Sequence, residues 1–188
     1  MLHKIMLFIV VFALMIGCSK KKMVFNETNQ GDFYLKSGIV YFQKSYRQVL
    51  SLTNIDKDII KNNAPNGGLQ VKSNDGEIVK GVIVNHQINW QKGSDRKMKV
   101  PDIMKRPINA SFQIEKDGSG YKVTIQDIWF SLDQSGGKQK NTALESFFIQ
   151  KSGLSFNKDK NTIKIIYYLS QQFSELFMLE GNQLENRF

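Results

Sequence analysis

The chain has 188 residues, a length suited to one compact domain, with 26 basic against 17 acidic residues and a net charge of +9. One cysteine and two histidines exclude a disulfide framework and leave too few ligands for a metal site built from several Cys and His. Stability must therefore come from a hydrophobic core.

The first element is Met1 to Lys22, MLHKIMLFIVVFALMIGCSKKK. His3 and Lys4 make a short positive head, and an unbroken apolar run of 12 residues follows from Ile5 to Ile16. A helix that spans a bilayer needs about 20 apolar residues, so this run reads as the h-region of an export signal. Leu14, Met15, Ile16, Gly17 and Cys18 resemble the lipobox of bacterial lipoproteins, with Met15 where that family usually has Leu. The resemblance implies cleavage before Cys18, diacylglycerol on its thiol and usually a third acyl chain on the new amine. Each buried CH₂ contributes about 0.8 kcal/mol, so two or three chains hold a protein on its membrane.

These features predict a signal peptide at 1–17, a lipid-anchored tether at 18–31, one α+β domain at 32–181 and a short tail at 182–188. The tether carries Lys20, Lys21 and Lys22. They can face anionic head groups at about 1 kcal/mol each, or simply be solvated. Ser19 stands where many diderm bacteria place an inner-membrane retention Asp, and by that likeness the protein moves to the outer membrane.

Within the domain, Gly38 to Tyr46 is rich in β-branched and aromatic residues and predicts a strand whose early part is buried on both faces. Leu52, Ile55 and Ile59 recur at helical spacing over 51–63, ended by the turn residues of 62–68. Leu69 and Val71 then lead into Asn74-Asp75-Gly76, a hairpin signal. A long strand is expected over Glu77 to Trp90, with Ile78, Val82, Val84, His86, Ile88 and Trp90 on one face. Gln91 to Pro107 reads as a long loop with six basic residues.

Ala110 to Ile114 resumes the sheet, 116–120 turns it, and Tyr121 to Leu132 returns with a register change near Gln126 or Asp127 that predicts a bulge. After a second loop at 135–141, Thr142 and Glu145 match a capping box opening a short helix. Ile163, Ile166, Tyr167, Ser170, Phe173, Leu176 and Phe177 form an apolar stripe, with Gly181 as the stop of a terminal helix that must dock on the sheet.

The fold class expected is therefore α+β: a mainly antiparallel sheet of about five strands, one helix after the first strand and a C-terminal helix packed on one face. The early strand ending in Gly38 to Tyr41, the segment Lys116 to Ile128 (KDGSGYKVTIQDI) and Leu144-Glu145 ahead of the terminal helix carry a resemblance. They resemble a family of uncharacterised bacterial secreted or lipid-anchored domains. The resemblance implies a TATA-binding-protein-like fold and assigns no activity.

Catalytic signals are sparse. His86 is the one histidine of the mature chain, and on its expected strand face it reads as a packed sheet residue before it reads as a base. The acidic pairs Asp56/Asp58 and Asp75/Glu77 fall on a helix surface and at a turn, and they would serve in glycoside hydrolysis only beside a cleft. Gly67-Gly68 and Gly136-Gly137 lack the flanking residues of a phosphate-cradling loop.

One stretch stands out. Trp90, Lys92, Arg96, Lys97, Lys99, Lys105 and Arg106 combine an aromatic with dense positive charge, a candidate surface for an anionic lipid, an acidic glycan or an acidic protein patch. The plain alternative is a solvated loop. Nucleic acid is not expected in an envelope compartment. The sequence thus reads as a lipid-anchored cell-envelope protein without cofactor or metal, a binding or assembly module and not an enzyme. A carboxylate-based envelope hydrolase, or an inhibitor or immunity-type protein, is the alternative.

Overall fold

In the computed structural model, which describes residues 28–47, 68–93, 98–131 and 141–178, eight strands form one sheet in which every pairing is antiparallel. They are β1 (Thr28–Gln30), β2 (Phe33–Lys36), β3 (Ile39–Tyr46), β4 (Leu69–Asn74), β5 (Ile78–His86), β6 (Ile108–Asp117), β7 (Gly120–Phe130) and β8 (Thr142–Ala143). Their order is β1-β2-β3-β7-β6-β5-β4, with β8 beside the far end of β7. The α+β class holds, but the sheet is larger than the five strands expected.

The additional strands are short. β1 is three polar residues with no apolar rhythm, and it lies within the stretch read as tether. β3 is the strand expected over Gly38 to Tyr46; β2 precedes it, joined to it by a two-residue turn. Ser37 and Gly38 both have positive φ (53° and 81°), and Lys36 pairs directly with Ile39. Such a turn matches the right-handed twist of the strands it joins. Burial on both faces of β3 is corrected as well. Val40 and Phe42 are fully buried, whereas Ile39 is 56% exposed and Tyr41 half-buried, because the other face of the sheet is open to water.

The β4–β5 hairpin forms where Asn74-Asp75-Gly76 places it. Asn74 Oδ1 accepts from the Gly76 N–H, and Asp75 Oδ1 accepts from those of Glu77 and Ile78. On β5 the facing differs from the pattern read in the sequence. Val79, Gly81 and Ile83 point inward, and the chain then shifts register before His86. Asn85, at φ 53°, sits in that bulge, so His86 and Ile88 regain the inner side. A bulge adds one residue and reverses every facing beyond it. The strand also stops at His86 instead of Trp90.

The register change near Asp127 is present: β7 slips against β6 between Asn109 and Ser111, and Asp127 also has φ 53°. The two bulges flank Asn109, whose Oδ1 accepts from the Asn85 N–H and whose Nδ2 donates to Ser131 Oγ.

After β5 come a single helical turn, α1 (Trp90–Gly93), and a 3₁₀ turn, Asp102–Lys105, that buries Met104. α2 (Glu145–Phe148) and α3 (Lys160–Leu176) follow β8. The capping box expected at Thr142 does not form. Thr142 pairs with Phe130 in the sheet, Leu144 occupies the N-cap, and Glu145 Oε1 accepts from the Val40 N–H at 3.0 Å.

α3 crosses the inner face of the sheet. Phe173 packs between Phe33 and Phe42, with ring centroids 5.9 and 5.6 Å away, and Phe177 meets Phe112 edge-on at 5.2 Å. Tyr167, read as part of the apolar stripe, is 55% exposed, while Ile165 and Leu169 are buried. The expected helix at 51–63, residues 135–140 of the second loop and Gly181 lie outside the described residues.

Candidate functional site

A groove of about 810 Å³ opens beside the C-terminal end of β5, walled by residues 87–91 on one side and by Met98, Lys99, Val100 and Lys105 on the other. Its position follows from the sheet. β5 ends at His86, opposite Ile108, and the chain between these two strands folds back over the start of α3. The side chains of Trp90, Asn161 and Gln87 fix that excursion. The indole Nε1–H of Trp90 donates to the Met104 carbonyl at 3.0 Å, and its ring tilts against Tyr168 of α3 at 5.3 Å. The amide of Asn161 bridges the backbone of Lys99, accepting from its N–H at 2.8 Å and donating to its carbonyl at 2.7 Å. Gln87 Nε2 donates to the Lys105 carbonyl at 2.7 Å.

The groove is chemically mixed. Ile88, Trp90, Met98 and Val100 supply apolar surface, Gln87, Asn89 and Gln91 supply amides, and Lys99 and Lys105 supply charge. Small-molecule and peptide sites share this composition, in which apolar area gives affinity and a few polar groups give orientation. Asp102 is ion-paired with Lys105 at 2.7 Å. That hydrogen bond, and then the Lys105 charge itself, hold the Asp102 carboxyl below the usual carboxylate range.

The basic stretch singled out in the sequence is thus placed unevenly. Trp90 is half-buried and serves as a bracket of the wall as much as a contact surface. Lys99 is exposed on the rim, and Lys105 turns to Asp102. Arg106 is mostly covered, with its Nη1 buried and without a hydrogen-bond partner among the described residues. Lys92 falls within α1, and its side chain, like Arg96, Lys97 and Cys18, lies outside the described residues. Structure therefore brings Trp90, Lys99 and Lys105 to one groove and sets Arg106 beside it.

His86 lies behind this wall, 8% exposed, where a side chain built on Gly68 would come within 3.5 Å of its Cβ. Asp75 is committed to the β4–β5 turn, whose Ile78 and Glu77 N–H groups keep its carboxyl below the usual range. Asp56 and Asp58 lie outside the described residues. Among those described, no group of three or more His, Cys, Asp or Glu could hold a metal ion. No helix among them is long and apolar enough to cross a membrane.

A second polar cluster was not visible in the sequence. Asp32, Lys44, Ser170 and Ser174 come from β3, the β1–β2 turn and α3. Lys44 Nζ pairs with Asp32 at 3.3 Å and donates to Ser174 Oγ at 2.8 Å; Ser170 Oγ donates to Asp32 Oδ2 at 2.8 Å. Ser174 Oγ also donates to the Ser170 carbonyl, and the Tyr46 hydroxyl to the Ser174 carbonyl. Burial, followed by the neighbouring Tyr121, raises the Tyr46 pKa above the ordinary phenol range, so Tyr46 acts as a donor and not as a base. The cluster clamps the helix onto the sheet. The only advance signal was two serines four apart on an otherwise apolar stripe.

No family model matches the chain, and no curated protein does. Among solved structures, a TBP-like protein from Parabacteroides distasonis is similar at TM-score 0.45 and 17% identity, covering 76% of this chain and 93% of that one. A DUF4468 family protein from Bacteroides ovatus is similar at TM-score 0.45 and 13% identity, covering 78% and 91%.

Proposed function

We propose that this chain is a lipid-anchored cell-envelope protein, held by acyl chains on Cys18, whose domain binds a partner through the groove and catalyses nothing. The lipobox-like residues 14–18 support the anchor, and the segments Gly38 to Tyr41 and Lys116 to Ile128 support a TATA-binding-protein-like envelope domain. The observation that carries the binding reading is the groove itself: an apolar floor at Ile88, Met98 and Val100, amides along one wall and an exposed Lys99 on the rim. That set suits an extended segment with an apolar side chain to lie along Trp90 and an acidic group to meet Lys99. By the likeness at Ser19 the compartment is the outer membrane.

A photo-cross-linking residue at Gln91, in full-length chain expressed in its own envelope, should give one discrete adduct, and Lys99→Glu should abolish it. The same residue at Lys80, on the open face of the sheet, should give none. If instead the purified chain turned over a glycan or peptide library and lost that activity on His86→Ala, the binding reading would be wrong.

A further inference from the structure

The register of the first strands shows where the chain enters the sheet. Thr28 pairs with Leu35, and Leu35 with Val40, so β1 begins beside the β2–β3 turn. A second turn lies against the first. Ile149 bridges to Phe156, and the residues between them double back so that a side chain built on Gly38 would meet the Gly153 carbonyl at 4.0 Å.

These neighbouring turns carry unusual surface residues. Among the described residues three large apolar side chains are exposed, and two of them are here, Ile39 at 56% and Leu154 at 52%. Lys36 precedes the first turn and Lys151 lies in the second, both exposed. Among the described residues Glu145 comes close to the first turn, and its Oε1 is occupied by the Val40 N–H. Isolated apolar side chains on a surface need no explanation. Two of them on adjacent turns, each with its own lysine, at the end where an anchored chain would arrive, call for one.

We propose that Ile39 and Leu154, flanked by Lys36 and Lys151, seat this end of the domain in the head-group layer of an anionic bilayer. The inference rests on the lipoprotein reading, because the anchor supplies the proximity. Cys18 lies ten residues before Thr28, an extended reach of about 33–36 Å, so the lipid confines this end close to the membrane without itself fixing an orientation. Apolar side chains at the acyl boundary and lysines at the phosphate level would then fix it.

The test uses the full-length chain in vesicles. Ile39→Cys, Leu154→Cys and, as control, Lys80→Cys each carry an environment-sensitive dye, with no competing thiol if Cys18 is lipidated. In vesicles containing phosphatidylglycerol, lipids brominated along the acyl chain should quench the dyes at 39 and 154 and leave the dye at 80 bright. Lys36→Gln with Lys151→Gln should weaken the seated state, about fivefold for each charge removed. Quenching at 39 and 154 no stronger than at 80, with mass spectrometry finding lipid on Cys18, would overturn the docking surface and leave the lipoprotein reading intact. A bare Cys18 on protein from the native envelope would take down both.

Discussion

Glu145 does the work of a missing strand. In β3 the N–H of Val40 points away from β2, toward the side where β7 begins pairing at Phe42 with Ile125. Beyond that pair β7 bulges at Asp127, and no β7 backbone partner pairs with Val40. The Glu145 carboxylate reaches 105 residues across the sequence to accept that hydrogen. Val40 is fully buried, so removing the acceptor strands a donor away from water. Glu145→Ala should cost about 1–3 kcal/mol in urea unfolding, while Glu145→Gln, which keeps an acceptor oxygen, should recover most of the loss. Equal losses in the two variants would show that the carboxylate acts through its charge and not through this bond.

At the scale of elements, α3 shows how a helix is specified twice, by its stripe and by its ends. Asp159 caps it: its Oδ1 accepts from the Asn161 and Thr162 N–H groups at 3.0 and 2.9 Å. The Thr162 hydroxyl, followed by these N–H groups, holds the Asp159 carboxyl below its ordinary value of 3.8. A depressed pKa means that the unfolded chain takes up the proton first. The cap's contribution is therefore complete above the unfolded pKa and is lost as pH falls through the lower folded one. Asp159→Ala should cost about 1 kcal/mol at neutral pH, and less in acid, by circular dichroism melting. Asp159→Asn should keep most of the stability and remove this part of the pH dependence. The stripe of α3 was legible in the sequence because it repeats; so were the β4–β5 hairpin and the β7 bulge, each marked by local residues. β1 and β8 were not, because three residues and two residues carry no period and owe their conformation to a neighbour. The facing of β5 was misread for a related reason, since the bulge at Asn85 is dictated by the distant amide of Asn109. The groove followed the same rule: the basic stretch was visible, but its walls depend on Asn161 and Tyr168, more than 60 residues away.

For the molecule as a whole, the proposed anchor gives one sulfur and one sheet separate duties. The domain's cohesion lies in a core that includes Phe33, Phe42, Phe130, Phe148, Phe173 and Phe177, with no cysteine among its residues. Its proposed address depends on Cys18 alone. The basic stretch belongs to the same picture: His86, Ile108 and Phe130 mark one end of the sheet by register, and Glu145, just past the Thr142 that pairs with Phe130, reaches Val40, so the groove lies three strands across from the turns where the chain enters. The proposed anchor at that end would bring both surfaces toward the membrane, where a partner that is itself membrane-bound would be found. The separation of duties has a direct consequence. Thermal unfolding should be unchanged by reductant, because no disulfide can form within a chain of one cysteine. Protein taken from its native envelope and opened in denaturant should incorporate no maleimide, since a thioether has no thiol to offer, whereas Gly17→Asp, placed to block processing, should restore one. A single maleimide on the native protein would mean that the sulfur is bare, and the domain would then need its own affinity to stay at a membrane.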